Sequence, residues 1–108
     1  MMNFKQLLLH DNARPFIAQA RFGIEREGQR VDLAGNLAKT DHPAIFGDRS
    51  YHPYIQTDFS ETQTEMITPV TDSIPELFKY LAAVYDVTAR SIQKEEMIWP
   101  LSMPTALQ

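Results

Sequence analysis

The sequence predicts an α+β domain in which antiparallel strands pack against one long amphipathic helix. Three observations predict it. Residues 20–31 and residues 54–70 are two stretches of strand-type sequence, in which side chains alternate between faces. The third is a run of apolar positions at Ile74, Leu77, Leu81, Val84, Tyr85 and Ile92, with Thr88 in step. That is the repeat of a helix with one face turned to a core.

Composition sets the outer bounds. The chain has 108 residues, enough for one small domain or a piece of a larger one. Hydrophobic residues make up 44% and charged residues 22%, which argues against disorder. The formal net charge is −4 and no basic run occurs, so nucleic acid is not an expected partner. The absence of cysteine excludes disulfides and thiolate metal sites. No apolar run is long enough to span a bilayer, and Leu7-Leu8-Leu9 is too short for a signal-peptide core. No membrane partner is expected, and the cytoplasm is the expected location.

The elements follow in order. Residues 3–9 are read as one or two helical turns with Phe4, Leu7 and Leu8 on one side. Residues 13–19 are read as a second short helix, with Pro15 in its first turn. The first strand covers residues 20–31. Within it Gly28 marks a bulge or a close backbone approach. Asp32-Leu33-Ala34-Gly35-Asn36 has turn chemistry, and Leu37-Ala38-Lys39 would return as a short antiparallel strand. Residues 40–53 read as irregular. His42, Asp48 and His52 lack the spacing of a metal site, and two surface histidines are the favoured reading.

Residues 54–70 are rich in Ile, Thr and Phe, types that suit a pleated surface. Asp58 is out of step with Glu61, Gln63 and Glu65, so a break or bulge near Ser60 is needed to bring Asp58 to Glu65. The long helix starts at Ser73, where Ser73-Ile74-Pro75-Glu76 fits a capping box. Glu95-Glu96 reads as a solvated pair, and residues 97–104 as an extended buried segment. The chain then reads as cut from something longer, a single partial domain over residues 1–108.

The acids carry the chemistry. On a strand Glu25 and Glu27 point the same way, and adjacent carboxylates repel unless something positive lies between them. Two readings fit this pattern. One is the wet face of a half-exposed sheet. The other is a hard divalent cation, which takes oxygen ligands. Spacing does not decide between them, because it does not show that the two acidic stretches pair.

Four motifs add a resemblance. They are Phe22-Gly23-Ile24-Glu25-Arg26-Glu27, Thr57-Asp58-Phe59-Ser60-Glu61, Glu65-Met66-Ile67-Thr68-Pro69-Val70 and Trp99-Pro100-Leu101-Ser102-Met103-Pro104. In this order they resemble the bacterial glutamate–cysteine ligase family, and most closely the N-terminal end of its fused form with a glutathione synthetase module. The likeness covers nearly the whole chain after about residue 20. It implies the N-terminal fragment of a fold related to glutamine synthetase and the guanidino kinases. It also implies an ATP-dependent ligation of L-glutamate to L-cysteine through a γ-glutamyl phosphate, with Mg²⁺ or Mn²⁺ as cofactor. By motif, Glu25, Glu27, Asp58 and Glu65 match metal ligands, and Phe59 matches a position near the cysteine pocket. No role falls to Glu61. The chain is several times shorter than the family enzyme. It is therefore expected to be inactive by itself and to need the remainder of the ligase to complete the fold. The alternative is a small non-catalytic binding or regulatory domain on the same β scaffold, or a metal-binding module without catalysis.

Overall fold

The computed structural model describes residues 1–48 and 51–105. Its elements are α1 (Phe4–Leu9), α2 (Arg14–Ile17), β1 (Glu25–Asp32), a 3-10 turn (Ala44–Phe46), β2 (Ile55–Asp58), β3 (Ser60–Ile67), α3 (Ile74–Ser91) and β4 (Glu96–Ile98). The strands form one antiparallel sheet in the order β2-β3-β1-β4. The α+β class with antiparallel strands and one long helix is as expected.

Residues 54–70 are not one strand but a hairpin. The chain reverses at Phe59, which takes the left-handed conformation with φ 53°. Ile55 then lies opposite Met66 and Thr57 opposite Thr64, with a register shift between Thr57 and Asp58. Such turns normally announce themselves with Gly, Asn or Asp at the positive-φ position. A phenylalanine there gives no such signal, so the sequence shows only that a break is needed.

Register assigns the two faces of the sheet. Side chains directly opposite in an antiparallel pair share a face. Glu27 is opposite Glu65, and Glu65 is opposite Gln56. Glu25, Glu27, Gln29, Gln63, Glu65 and Gln56 therefore share one face, and alternation along β2 returns Asp58 to that side. Arg26, Gly28, Arg30, Ile55, Thr64, Met66 and Ile98 occupy the other face. There α3 packs, with the Arg26 guanidinium 5.3 Å from the centroid of the Tyr85 ring. Leu77 and Thr88 of α3 are buried, while Leu81, Val84, Tyr85 and Ile92 are half-buried and Ile74 is exposed. The helix covers its face of the sheet only in part.

Gly28 marks neither a bulge nor a close backbone approach but a close approach by a side chain. The β1–β3 register runs unbroken from Glu25 to Gln29. A Cβ at Gly28 would lie 2.5 Å from Cγ2 of Ile98 in the neighbouring strand, closer than atoms can sit. The return at residues 37–39 is a single bridge, Val31 to Leu37, rather than a strand. The α3 cap is half of the expected box. Ser73 Oγ accepts the Glu76 N–H at 3.3 Å, but the Glu76 carboxylate accepts the hydroxyls of Thr71 and Tyr80 instead of the Ser73 N–H. A full box does form at α1, between Asn3 and Gln6.

The largest correction concerns Glu96, expected in solvent. Its side chain is 6% exposed and pairs with Arg30, whose side chain is fully buried, at 3.0 Å. Arg30 also donates to the Thr40 hydroxyl at 2.7 Å, the Thr40 carbonyl at 2.7 Å and the Glu61 carbonyl at 3.1 Å. The Thr40 hydroxyl in turn donates to Glu96. One guanidinium thus joins β1, β4, the segment after the 32–36 turn and the start of β3. Residues 97–104 are not the buried segment expected. Ile98 is buried, but Met97, Leu101 and Met103 are exposed. Regular pairing stops at Ile98, and nothing among the described residues covers the prolines that follow.

The apolar core is small: Val31, Ala38, Phe46, Ile55, Met66, Leu77 and Ile98. The accessible surface is 7912 Å², against about 6,100 Å² for a compact protein of 12.4 kDa. The radius of gyration is 18.0 Å, where about 13 Å is usual for this length.

This small core leans on the buried ion pair. Glu96→Ala leaves the Arg30 charge buried without its carboxylate and is expected to lower unfolding free energy by about 3–5 kcal/mol. Replacing both partners with apolar residues (Arg30→Met with Glu96→Leu) is expected to recover most of that loss. Urea denaturation of the 108-residue chain measures both. A loss of under about 1 kcal/mol for Glu96→Ala would show that water reaches Arg30.

Candidate metal centre

Three strands bring three carboxylates together. Glu27 comes from the middle of β1, Glu65 from the facing position on β3, and Asp58 from the end of β2. One ligand oxygen from each lies within 4.8 Å of the others. Glu27 is exposed, and Asp58 and Glu65 are half-buried. Glu25 shares the face two residues earlier on β1 but stands outside this trio. Gln63 Nε2 donates to Glu27 Oε2 at 2.7 Å and fixes that carboxylate over the sheet.

Electrostatics explains why the arrangement is not a packing device. Burial, followed by the charges of Glu25, Asp58 and Glu27, pushes the Glu65 carboxyl above its ordinary range. Cross-strand like charges destabilise a sheet. The trio consists of oxygen donors on rigid strands, the donor type that Mg²⁺, Mn²⁺ and Ca²⁺ prefer. The donor chemistry of the trio therefore fits a hard divalent cation, and Glu25 shares the same face.

Phe59 stands next to Asp58 at the tip of the hairpin and is 97% exposed. Its ring contributes nothing to the core. Its left-handed backbone is a strained conformation for a residue with a side chain, and such strain clusters at binding sites.

The histidine segment differs from expectation. His42 is buried rather than superficial, its ring 5.6 Å from that of Phe46, which in turn lies 5.8 Å from His52. His52 Nδ1 accepts the N–H groups of Tyr54 at 3.1 Å and Ile55 at 3.0 Å, so that nitrogen shapes the entry to β2. Among the described residues, only the Glu27, Asp58 and Glu65 trio brings three such ligand atoms together; His42, Asp48 and His52 do not. Sequence reasoning also missed Glu61. Its Oε1 accepts the His42 N–H at 2.7 Å, a contact between residues 19 apart that no local pattern announces.

The fold and site define an α+β domain whose open sheet face is built of oxygen donors. Comparison with known proteins gives the family. The family model described as glutamate–cysteine ligase matches residues 5–108, and the chain belongs to that family. It is 57% identical over 106 residues to the glutathione biosynthesis bifunctional protein GshAB of Enterococcus faecalis, covering 98% of this chain and 14% of that protein. It is 53% identical over 107 residues to the protein of the same name from Streptococcus thermophilus, covering 99% of this chain and 14% of that protein.

Solved structures agree. The bifunctional glutathione synthetase of Pasteurella multocida superposes with a TM-score of 0.81 at 47% identity, over 94% of this chain and 14% of that one. The glutamate–cysteine ligase of Francisella tularensis, solved in complex with AMP, gives 0.75 at 39% identity, over 78% of this chain and 17% of that one. The chain thus spans about a seventh of the length of the curated relatives it matches.

The raised Glu65 carboxyl makes a stability prediction with a definite sign. A carboxyl whose folded-state pKa is raised favours the fold while protonated, and that advantage is lost as pH rises through the folded value. In metal-free buffer Glu65→Gln is therefore expected to raise the thermal midpoint at pH 7. The gain should vanish as pH falls below the carboxylate range, where Glu65 is itself neutral. Melting curves at pH 7 and pH 3.5 check this, and equal gains at both pH values would show that charge is not the cause.

Proposed function

We propose that this chain is the N-terminal part of the catalytic domain of an ATP-dependent glutamate–cysteine ligase, and that its acidic sheet face forms one wall of the active site. The observation that carries this reading is the convergence of Glu27, Asp58 and Glu65 on an uncovered sheet face, in a chain of this family. The reaction activates the γ-carboxylate of L-glutamate by taking the γ-phosphoryl group of ATP. The amine of L-cysteine then attacks the acyl carbon and displaces phosphate, forming the amide bond and losing a proton. This is the first step of glutathione biosynthesis.

Phosphoryl transfer between two anions depends on positioning and on charge neutralisation. A bound Mg²⁺ or Mn²⁺ would supply that neutralisation. Within this chain Glu25, Glu27, Asp58 and Glu65 are the residues that would hold it. Gln63 steadies Glu27, and the rigid β1–β3 ladder fixes the spacing of Glu27 and Glu65. On this reading Phe59, exposed at the hairpin tip, would contribute near the cysteine pocket.

The fold reading is the glutamine synthetase and guanidino kinase type, a curved antiparallel sheet around a funnel. Residues 1–108 form one partial domain of it. The rest of the ligase covers the excess surface and supplies the nucleotide and cationic groups. The isolated segment is inactive on this reading. No helix among the described residues is long and apolar enough to cross a membrane. The reaction's substrates are cytoplasmic metabolites, and the cytoplasm is the proposed location.

The test is a full-length chimera in which residues 1–105 replace the matching segment of the Enterococcus faecalis protein. Glu27→Gln is expected to raise the half-saturating Mg²⁺ concentration for ligase activity by about tenfold or more. Activity and metal dependence retained within about threefold would remove Glu27 from the proposed site.

A further inference from the structure

Between Phe59 and the body of the sheet lies a set of contacts that the metal reading does not use. Phe59 holds φ 53° with its side chain in solvent, so no packing of its own ring keeps it there. A strained conformation persists only where its surroundings impose it. Asp58 immediately precedes it and pairs with Ser60 across the turn. The next residue, Glu61, is held twice. Its carbonyl accepts Arg30 Nη2 at 3.1 Å, and its Oε1 accepts the His42 N–H at 2.7 Å. The segment carrying His42 is itself fastened through Thr40 to Arg30 and Glu96.

We propose that Glu61 is a positioning residue whose grip on the His42 backbone sets the hairpin turn, and with it the place of the Asp58 carboxylate beside Glu27 and Glu65. The proposal rests on the metal-binding reading above. Glu61 acts through its reach, by which its carboxylate accepts the His42 backbone N–H. It lies on β3 four residues from Glu65, and its ligand atoms are not part of the trio. The turn is the weakest-determined part of the site: β1 and β3 are joined by five consecutive register pairs, whereas the β2–β3 ladder slips between Thr57 and Asp58. A carboxylate at that slip needs an outside tether, and Glu61 is the side chain that supplies one.

Two conservative variants separate geometry from charge. Glu61→Asp keeps the charge but shortens the reach by one methylene. Glu61→Gln removes the charge but keeps an acceptor oxygen at the same reach. Mn²⁺ binding to the full-length chimera, followed by electron paramagnetic resonance of the free ion, reads the site without turnover. Thermal midpoints show that each variant is folded.

Glu61→Asp is expected to weaken Mn²⁺ binding by about tenfold, the usual effect of losing an outer partner of a metal ligand, with Glu61→Gln within about threefold of the parent. Unchanged binding in Glu61→Asp, or equal weakening in both variants, overturns the proposal. Glu27→Gln is the control. If it weakens Mn²⁺ binding while Glu61→Asp does not, only the positioning role falls. If Glu27→Gln leaves binding unchanged, the metal reading and the positioning role fall together.

Discussion

The buried guanidinium of Arg30 is the constraint on which the rest of this structure depends. A charge taken out of water is tolerable only if opposite charge and hydrogen-bond acceptors surround it. Arg30 collects these from β4, from Thr40 and from the first turn of β3. These acceptors come from three different parts of the chain. The sheet edge at β4, the crossing loop and the hairpin are therefore held at one point. With few buried apolar side chains, hydrophobic packing alone places none of these segments with the same directionality.

That anchorage lets the opposite face of the sheet do something costly. Glu27 and Glu65 sit directly across from one another, and Asp58 joins them from the third strand. Like charges on neighbouring strands work against pairing. The burial and crowding that raise the Glu65 carboxyl are the local sign of that tension. Sheets tolerate such a face where the helix-covered side supplies the cohesion. Here the Arg26–Tyr85 contact, Met66, Ile55 and Ile98 lie on that covered side. The two faces divide the labour, one for holding the fold and one for presenting oxygen donors.

How much of this the sequence showed depends on how local each feature is. The long helix was legible from its own repeat and from Ser73. The shared face of Glu25 and Glu27 followed from strand parity alone. The need for a break before Glu65 was legible for the same reason, since Asp58 and Glu65 are seven residues apart and fall on opposite faces of any continuous strand. The hairpin itself was not, because Phe59 is an unusual residue for a left-handed turn. Arg30–Glu96 was invisible for a different reason. The partners are 66 residues apart, and Glu96 beside Glu95 looks like ordinary solvated charge. His42 misled in the same way, since its burial depends on Phe46 and on the hairpin that carries Glu61. Local patterns report on elements, whereas these contacts are made only once the elements are assembled.

The surface excess belongs to the same argument. A chain of this mass exposing 7912 Å², with Leu101, Met103 and Phe59 in solvent beside an acidic face, has more boundary than its own core can justify. Large apolar exposure of this kind marks surfaces made to be covered. Most of the exposed apolar residues lie elsewhere, on α1, α2, α3 and the loops, but three lie beside the acids. Phe59 is at the hairpin tip, and Leu101 and Met103 line the same 320 Å³ hollow as Glu27 and Gln63. A site that neutralises phosphate charge works best with water excluded, because field strength rises as the local dielectric falls. An open acidic wall rimmed with apolar side chains is half of such an enclosure. The proposed ligase reading explains the pairing: the acids need a cation, and the rim needs the rest of the enzyme to close over it.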